Sequence, residues 1–232
     1  MACTEFEKLR SAIDEYISKE ANLHLETVSK SINKLLFHHA EQGRLELGKD
    51  KDLVGDGLEI RVRILLLEAG FDVAVGRPGL EDLIVQVPDK VTTKRPLVLE
   101  VKSDRKPTVK RDDLRQLDDW VFDLSGEEKA RKHGLGGGVD ALAIVTDGLL
   151  TSKKHHPTPH KGVFVFNAPV GVDFIDRPAN VIGADEVAFA KKRGFCLIPI
   201  DLLISKVESI KKKQLDTGTL WESIHKCEGP LI

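Results

Sequence analysis

The chain has 232 residues, 41% of them hydrophobic, and its 19 glycines bring the apolar share near the half usual for a globular domain. Lysine and arginine number 35 against 37 aspartate and glutamate, so the formal charge of −2 excludes a polycation that holds nucleic acid by bulk charge, though not a local basic patch. No apolar run reaches the ~18 residues of a membrane span, and the acidic opening Met1-Ala2-Cys3-Thr4-Glu5-Phe6-Glu7 does not read as a signal peptide, so a cytoplasmic protein is expected. Cys3, Cys196 and Cys227 are odd in number, far apart and without a CxxC pair, which reads as a reduced thiol set.

Residues 5–47 are predicted to form two amphipathic helices, separate or continuous. Phe6, Leu9, Ile13 and Ile17 recur at spacings of three and four, and Leu25, Val28, Ile32, Leu35 and Leu36 restart the pattern. Residues 1–50 carry seven basic and nine acidic side chains, whereas a DNA-reading helix pair is normally basic, so this N-terminal segment is assigned to packing or dimerisation. Gly48–Gly57 reads as a charged linker, and residues 51–232 as one domain.

That domain opens with a helix from Asp56 whose face is Leu58, Val62, Leu65, Leu66 and Ala69, ending at Gly70. Short apolar runs then predict strands at Phe71–Val75, Asp82–Val87 and Leu97–Lys102, with a turn at Gly76–Gly79 and a loop at Pro88–Arg95. A helix at Val109–Leu124 follows, then a Gly-rich connection over Ser125–Gly138 and strands at Val139–Thr146 and Gly162–Phe166. Val181–Arg193 reads as helix, Cys196–Ile198 as strand, and Leu202–Lys213 as a helix capped by Asp201. Strands bracketed by helices on both sides make an α/β fold with a mixed sheet.

The chemistry concentrates in two runs, Leu80–Val87 and Pro96–Ser103. Side chains of a strand alternate between faces, so Glu100 and Lys102 share one face while Leu97, Leu99 and Val101 point into a core. If the hairpin turn centres on residues 91–92, opposed residues sum to about 183, which puts Asp82 opposite Val101 and diagonal to Glu100 and Lys102; a one-residue slip moves it to the other face. Two carboxylates this close repel unless one is protonated or a cation bridges them. A hard divalent ion such as Mg²⁺ suits oxygen ligands, and Lys102 beside it could deprotonate a water or neutralise a phosphate.

The order of helix with an acid, strand, Asp, strand, Glu-x-Lys and helix over residues 56–124 resembles the restriction-endonuclease-like, or PD-(D/E)xK, nuclease superfamily, and the elements to about residue 213 fit the rest of such a domain. Asp82 matches the motif Asp and Glu100-Val101-Lys102 matches (D/E)xK, while Glu81 stands where the family carries Pro. Glu59 matches an acid that many members add to the metal site, and Gln116 sits where several branches carry a supporting Gln. The resemblance implies a restriction-endonuclease-like mixed β-sheet and a Mg²⁺-dependent endonuclease acting on DNA, with Mn²⁺ as substitute. It implies a metal held by Glu59, Asp82, Glu100 and the Val101 carbonyl, and catalysis by Asp82, Glu100 and Lys102 with support from Gln116. Members often act as homodimers.

Basic side chains around the motif are candidates for the DNA backbone. Residues 102–115 have a net charge of +3 and include Arg105, Lys106 and Lys110; residues 148–162 contribute Lys153, Lys154 and Lys161 with no acid. The nearby His155, His156 and His160 lack a cysteine or carboxylate partner, so a zinc site is not expected. A nuclease-fold module that binds nucleic acid or protein without turnover is the alternative.

Overall fold

The computed structural model describes residue 33 and residues 49–75, 82–87, 96–106, 109–124, 160–178 and 181–232. The two predicted N-terminal helices, the Gly-rich connection and the Val139–Thr146 strand lie outside these residues, Asn33 excepted.

A 3-10 turn at Asp50–Asp52 leads into α1, Gly55–Glu68. The expected helix face is buried, but so are Arg63, Ile64 and Leu67, so the second half of α1 is enclosed on every side. Packing therefore holds α1, at about 1.5–3 kcal/mol per fully buried Leu or Val. Gly70, at φ 83°, ends it in a left-handed conformation that favours glycine. The strands β1 (Asp72–Val75), β2 (Leu83–Gln86) and β3 (Leu97–Ser103) form an antiparallel meander. α2, Arg111–Leu124, follows β3, and β4, Lys161–Asn167, pairs parallel to β3 on its other edge. A short 3-10 turn at Phe174–Asp176 precedes α3, Ala184–Arg193, which stops at Gly194 with φ 69°. β5 (Cys196–Pro199), α4 (Ile200–Lys211), α5 (Thr217–Lys226) and β6 (Gly229–Pro230) complete the order, β5 and β6 extending the parallel half.

The sheet thus runs β1-β2-β3-β4-β5-β6, antiparallel on one side of β3 and parallel on the other. Alternation sorts its side chains into two cores. Leu97, Leu99, Val101, Val163, Val165 and Ile198 join α1, α4 and α5 on one face. Val98, Phe164, Phe166 and Leu197 join α2 and α3 on the other. The result is the expected α/β arrangement, a mixed sheet between two helical layers.

Two details depart from the sequence reading. Asp201 lies inside the first turn of α4 and Pro199 holds the cap position, because the fixed φ of proline suits the entry to a helix where an N–H has no partner. The second is α5, which the sequence reading did not assign. Its signal is Asp216, whose carboxylate accepts from the Thr219 N–H at 2.9 Å as an N-cap, followed by the buried Leu220, Trp221 and Ile224.

Asn33 bonds to this core. Its amide donates to the Val73 carbonyl at 2.7 Å and its carbonyl accepts from Arg63 Nε at 2.7 Å. Arg63 is 6% exposed, and burial holds its guanidinium at a lowered pKa of about 10 despite the nearby Glu59 charge. Asn33→Ala is expected to cost about 1–3 kcal/mol by removing an acceptor from a buried charged donor, read as a lower urea midpoint at unchanged m-value.

Candidate active site

The site is assembled by the end of one pairing. The observed register sets Leu83 opposite Leu99, a sum of 182 rather than the expected 183. Continued, it would put Asp82 opposite Glu100. The chain instead bends at Asp82, whose N–H donates to the Leu99 carbonyl at 3.1 Å, one residue out of register. The Asp82 side chain takes the place of the missing strand: Val101 N–H donates to its Oδ2 at 2.6 Å. A ladder bond that β2 no longer supplies is thus made by a carboxylate. Neighbouring strands exchange N–H and C=O from one residue on one edge, so the Val101 carbonyl faces the same side as Asp82.

Glu100 and Lys102 follow Val98 onto the α2 face of β3. Glu100 is completely buried, with 0% exposure, and its Oε1 forms an ion pair with Lys102 Nζ. Its Oε2 has no hydrogen-bond partner among the described residues. Burial first, and then the Asp82 charge, push the Glu100 carboxyl up to about 8, against the opposing pull of Lys102. Lys102 is held above its ordinary value: burial lowers it, but the bond to Glu100 and the charges of Glu100, Asp82 and Asp113 outweigh that.

Glu59 stands one turn into α1, in the opposite helical layer. Gly55 N–H at the start of α1 donates to Ser103 Oγ at the end of β3, 3.2 Å away, which fastens the helix there. Burial and the charges of Asp82 and Asp56 raise the Glu59 carboxyl to about 7, while Arg63 and Lys102 pull the other way. Asp82 therefore acts electrostatically on an acid in each layer. Among the described residues no three His, Cys, Asp or Glu side chains are gathered as a preformed metal centre. Mg²⁺ does not require one, since it is commonly held by one or two carboxylates with waters and substrate phosphates. The Glu100 Oε2 and the two acids raised by burial and by the Asp82 charge fit a divalent cation.

The remaining expected residues divide. Gln116 is exposed on α2, and no hydrogen bond joins it to Lys102 among the described residues. The residue of α2 that senses the site is Asp113, one turn earlier, whose charge acts on both Lys102 and Glu100 and whose own carboxyl is raised by burial. The only sequence signal for it is the three-residue spacing to Gln116 on one helix. Arg105 and Lys106 are exposed just past β3, and Lys110 pairs with Asp104 at 3.0 Å. Lys153 and Lys154 lie outside the described residues. Lys161 does not join the group: it starts β4 opposite Leu97, at the far end of the strands from Lys102, and its ammonium donates to the Gly194 and Cys227 carbonyls.

Comparison with known proteins shows the fold alone. No family model and no curated protein matches the chain. Solved structures that do include the restriction endonuclease FokI bound to DNA and the restriction endonuclease FokI, each with a TM-score of 0.52. Identity is 11% and 10%, over 84% of this chain in both cases. The chain spans about a third of their length, 33% and 34%. The fold is restriction-endonuclease-like.

The raised acids give a signed pH dependence. An acid whose folded pKa lies above its unfolded value stabilises fully below the unfolded value, and that contribution is lost as pH rises through the folded one. For Glu100 the window runs from about 4.5 to about 8. Metal-free protein should therefore lose stability across this range, with roughly 2–5 kcal/mol at stake from this fully buried group. Urea titrations from pH 5 to 9 should show a shallower loss in Glu100→Gln, which has nothing to ionise there.

Proposed function

We propose that the chain is a metal-dependent endonuclease that hydrolyses DNA phosphodiester bonds. The observation that carries this reading is the fully buried Glu100, bound to Lys102 through one oxygen and unpartnered at the other, beside an Asp82 fixed on the Val101 amide. This Asp, Glu and Lys grouping sits on a restriction-endonuclease-like fold, and one of the similar structures is of a restriction endonuclease bound to DNA.

Asp82 and Glu100 would hold the metal, with Glu59 and the Val101 carbonyl completing the set and Mn²⁺ replacing Mg²⁺. Bound there, the ion supplies Lewis acidity to a phosphoryl oxygen and to a water. Lys102, kept protonated by its acidic neighbours, orients the attacking water and offsets charge on the scissile phosphate. Arg105 and Lys106 extend from the end of β3 into solvent and meet the DNA backbone; Lys110 is steadied by Asp104. Cutting both strands calls for two such sites, which a homodimer would supply.

A second reading, a nuclease-fold binding module without turnover, draws on the lack of a three-acid cluster among the described residues. Digestion of supercoiled, linear and single-stranded DNA with Mg²⁺, Mn²⁺ or EDTA separates the two. The nuclease reading expects cleavage that EDTA abolishes, and Lys102→Met should lower the rate more than tenfold, about 1.4 kcal/mol on the barrier. Retained DNA binding with no cleavage in either metal favours the module.

The backbone contacts have their own measurement. Arg105→Ser with Lys106→Ser should flatten the slope of log K against log[salt] by about 2 on duplex DNA if each side chain neutralises one phosphate. An unchanged slope assigns them to solvent.

A further inference from the structure

At the end of the sheet away from the acids, two thiols and an amine are packed together. Cys196 opens β5 and is fully buried; Cys227 follows α5, directly before β6, and is partly exposed. β6 pairs parallel to β5 with Gly229 opposite Cys196, which carries the chain back over that residue. The Cys227 thiol reaches the Gly229 carbonyl at 3.1 Å and packs against the core cluster that contains Cys196. Lys161 of β4 donates to the carbonyls of Gly194 and Cys227, so its ammonium is anchored beside both sulfurs.

We propose that Cys227 and Cys196 are a reversible thiol–disulfide site, oxidised by hydroperoxides to an intramolecular disulfide that staples β6 and the end of α5 to β5. The roles follow from the surroundings. Redox-sensitive cysteines combine an accessible thiolate with an adjacent resolving thiol. The Cys196 hydrogen bond first, then Lys161 and the Leu197 N–H, draw the Cys227 thiol down to about 7 against its burial and the Glu228 charge. The hydrogen bond to Cys227 and burial push Cys196 up, against Lys161. From α3, the Lys191 stem packs against Gly229. Cys227, the thiol open to solvent, is therefore the attacking sulfur, and the buried Cys196 the resolving one.

The Cys227 thiolate attacks a hydroperoxide oxygen and breaks the O–O bond, giving a sulfenic acid and an alkoxide, or hydroxide from hydrogen peroxide. The Cys196 thiol gives its proton to that base and attacks the sulfenic sulfur. The S–S bond forms as hydroxide leaves and takes up a proton. Two thiols lose two electrons in all, and the peroxide is reduced to alcohol and water. A dithiol reverses the change. Nothing in this requires the acids to cut DNA, so it stands or falls apart from the nuclease reading.

The test uses the full chain carrying Cys3→Ser, which leaves Cys196 and Cys227 as its two cysteines. Hydrogen peroxide followed by alkylation and peptide mass mapping should give an intrachain Cys196–Cys227 peptide lighter by two hydrogens, restored by dithiothreitol. In Cys196→Ala, where the resolving thiol is absent, Cys227 should instead trap as sulfenic acid with a dimedone probe. Adding Lys161→Met to Cys3→Ser should slow iodoacetamide alkylation of Cys227 at pH 7 about fivefold, the loss of thiolate when its pKa rises by one unit, and Lys161→Arg should restore it. Sulfinic acid on Cys227 with Cys196 still reduced, or disulfides only between chains, would overturn the proposal. So would a Cys227 alkylation midpoint at the ordinary ~8.5 of a free thiol.

Discussion

β3 is packed on both faces, and the site follows from that constraint. Leu97, Leu99 and Val101 fill the core under α1, α4 and α5, while Val98 lies in the core under α2 and α3. The next residue on the α2 face is Glu100, which alternation sends below that layer whatever its charge. A carboxylate cannot stay ionised there without compensation. Its proton affinity rises, and Lys102, two residues along the same face, forms an ion pair with it.

Asp82 then sets the relation between the layers. Its carboxylate replaces a backbone acceptor at the end of β2, so its position is set by the Val101 amide rather than by a mobile side chain. Its charge presses on Glu100 on one side and on Glu59 on the other. Two acids whose proton affinities are raised by the charge of a third store electrostatic energy that a divalent cation would release. Ground-state repulsion of this kind is common where charge chemistry is performed, because the groups are held for a ligand and not for each other.

The opposite end of the parallel strands shows the complementary use of charge. Lys161 is drawn inward by two carbonyls and lies beside two sulfurs, with burial lowering its own proton affinity. A lysine expected among the phosphate contacts is in this fold half-buried and bonded to two carbonyls. The sequence places it in a basic run, but its strand begins in the interior, with Leu97 and not Lys102 as its neighbour.

Pattern alone carried the α/β class, the strands around Asp82 and Glu100, the shared face of Glu100 and Lys102, and the resemblance to restriction-endonuclease-like nucleases. These depend on periodicity and adjacency within a few residues, which local sequence encodes. Tertiary structure decided what depends on partners far along the chain. The register differed by one because the pairing of β2 with β3 answers to burial of Leu83 and Leu99 in a common core, not to the length of the connecting loop. The charge of Asp113 acts on Lys102 because the way α2 is turned on the sheet sets which residue of its first turns faces β3. Cys196 and Cys227 meet across 31 residues only because β6 pairs with β5, a contact with no periodic signal in a two-residue strand.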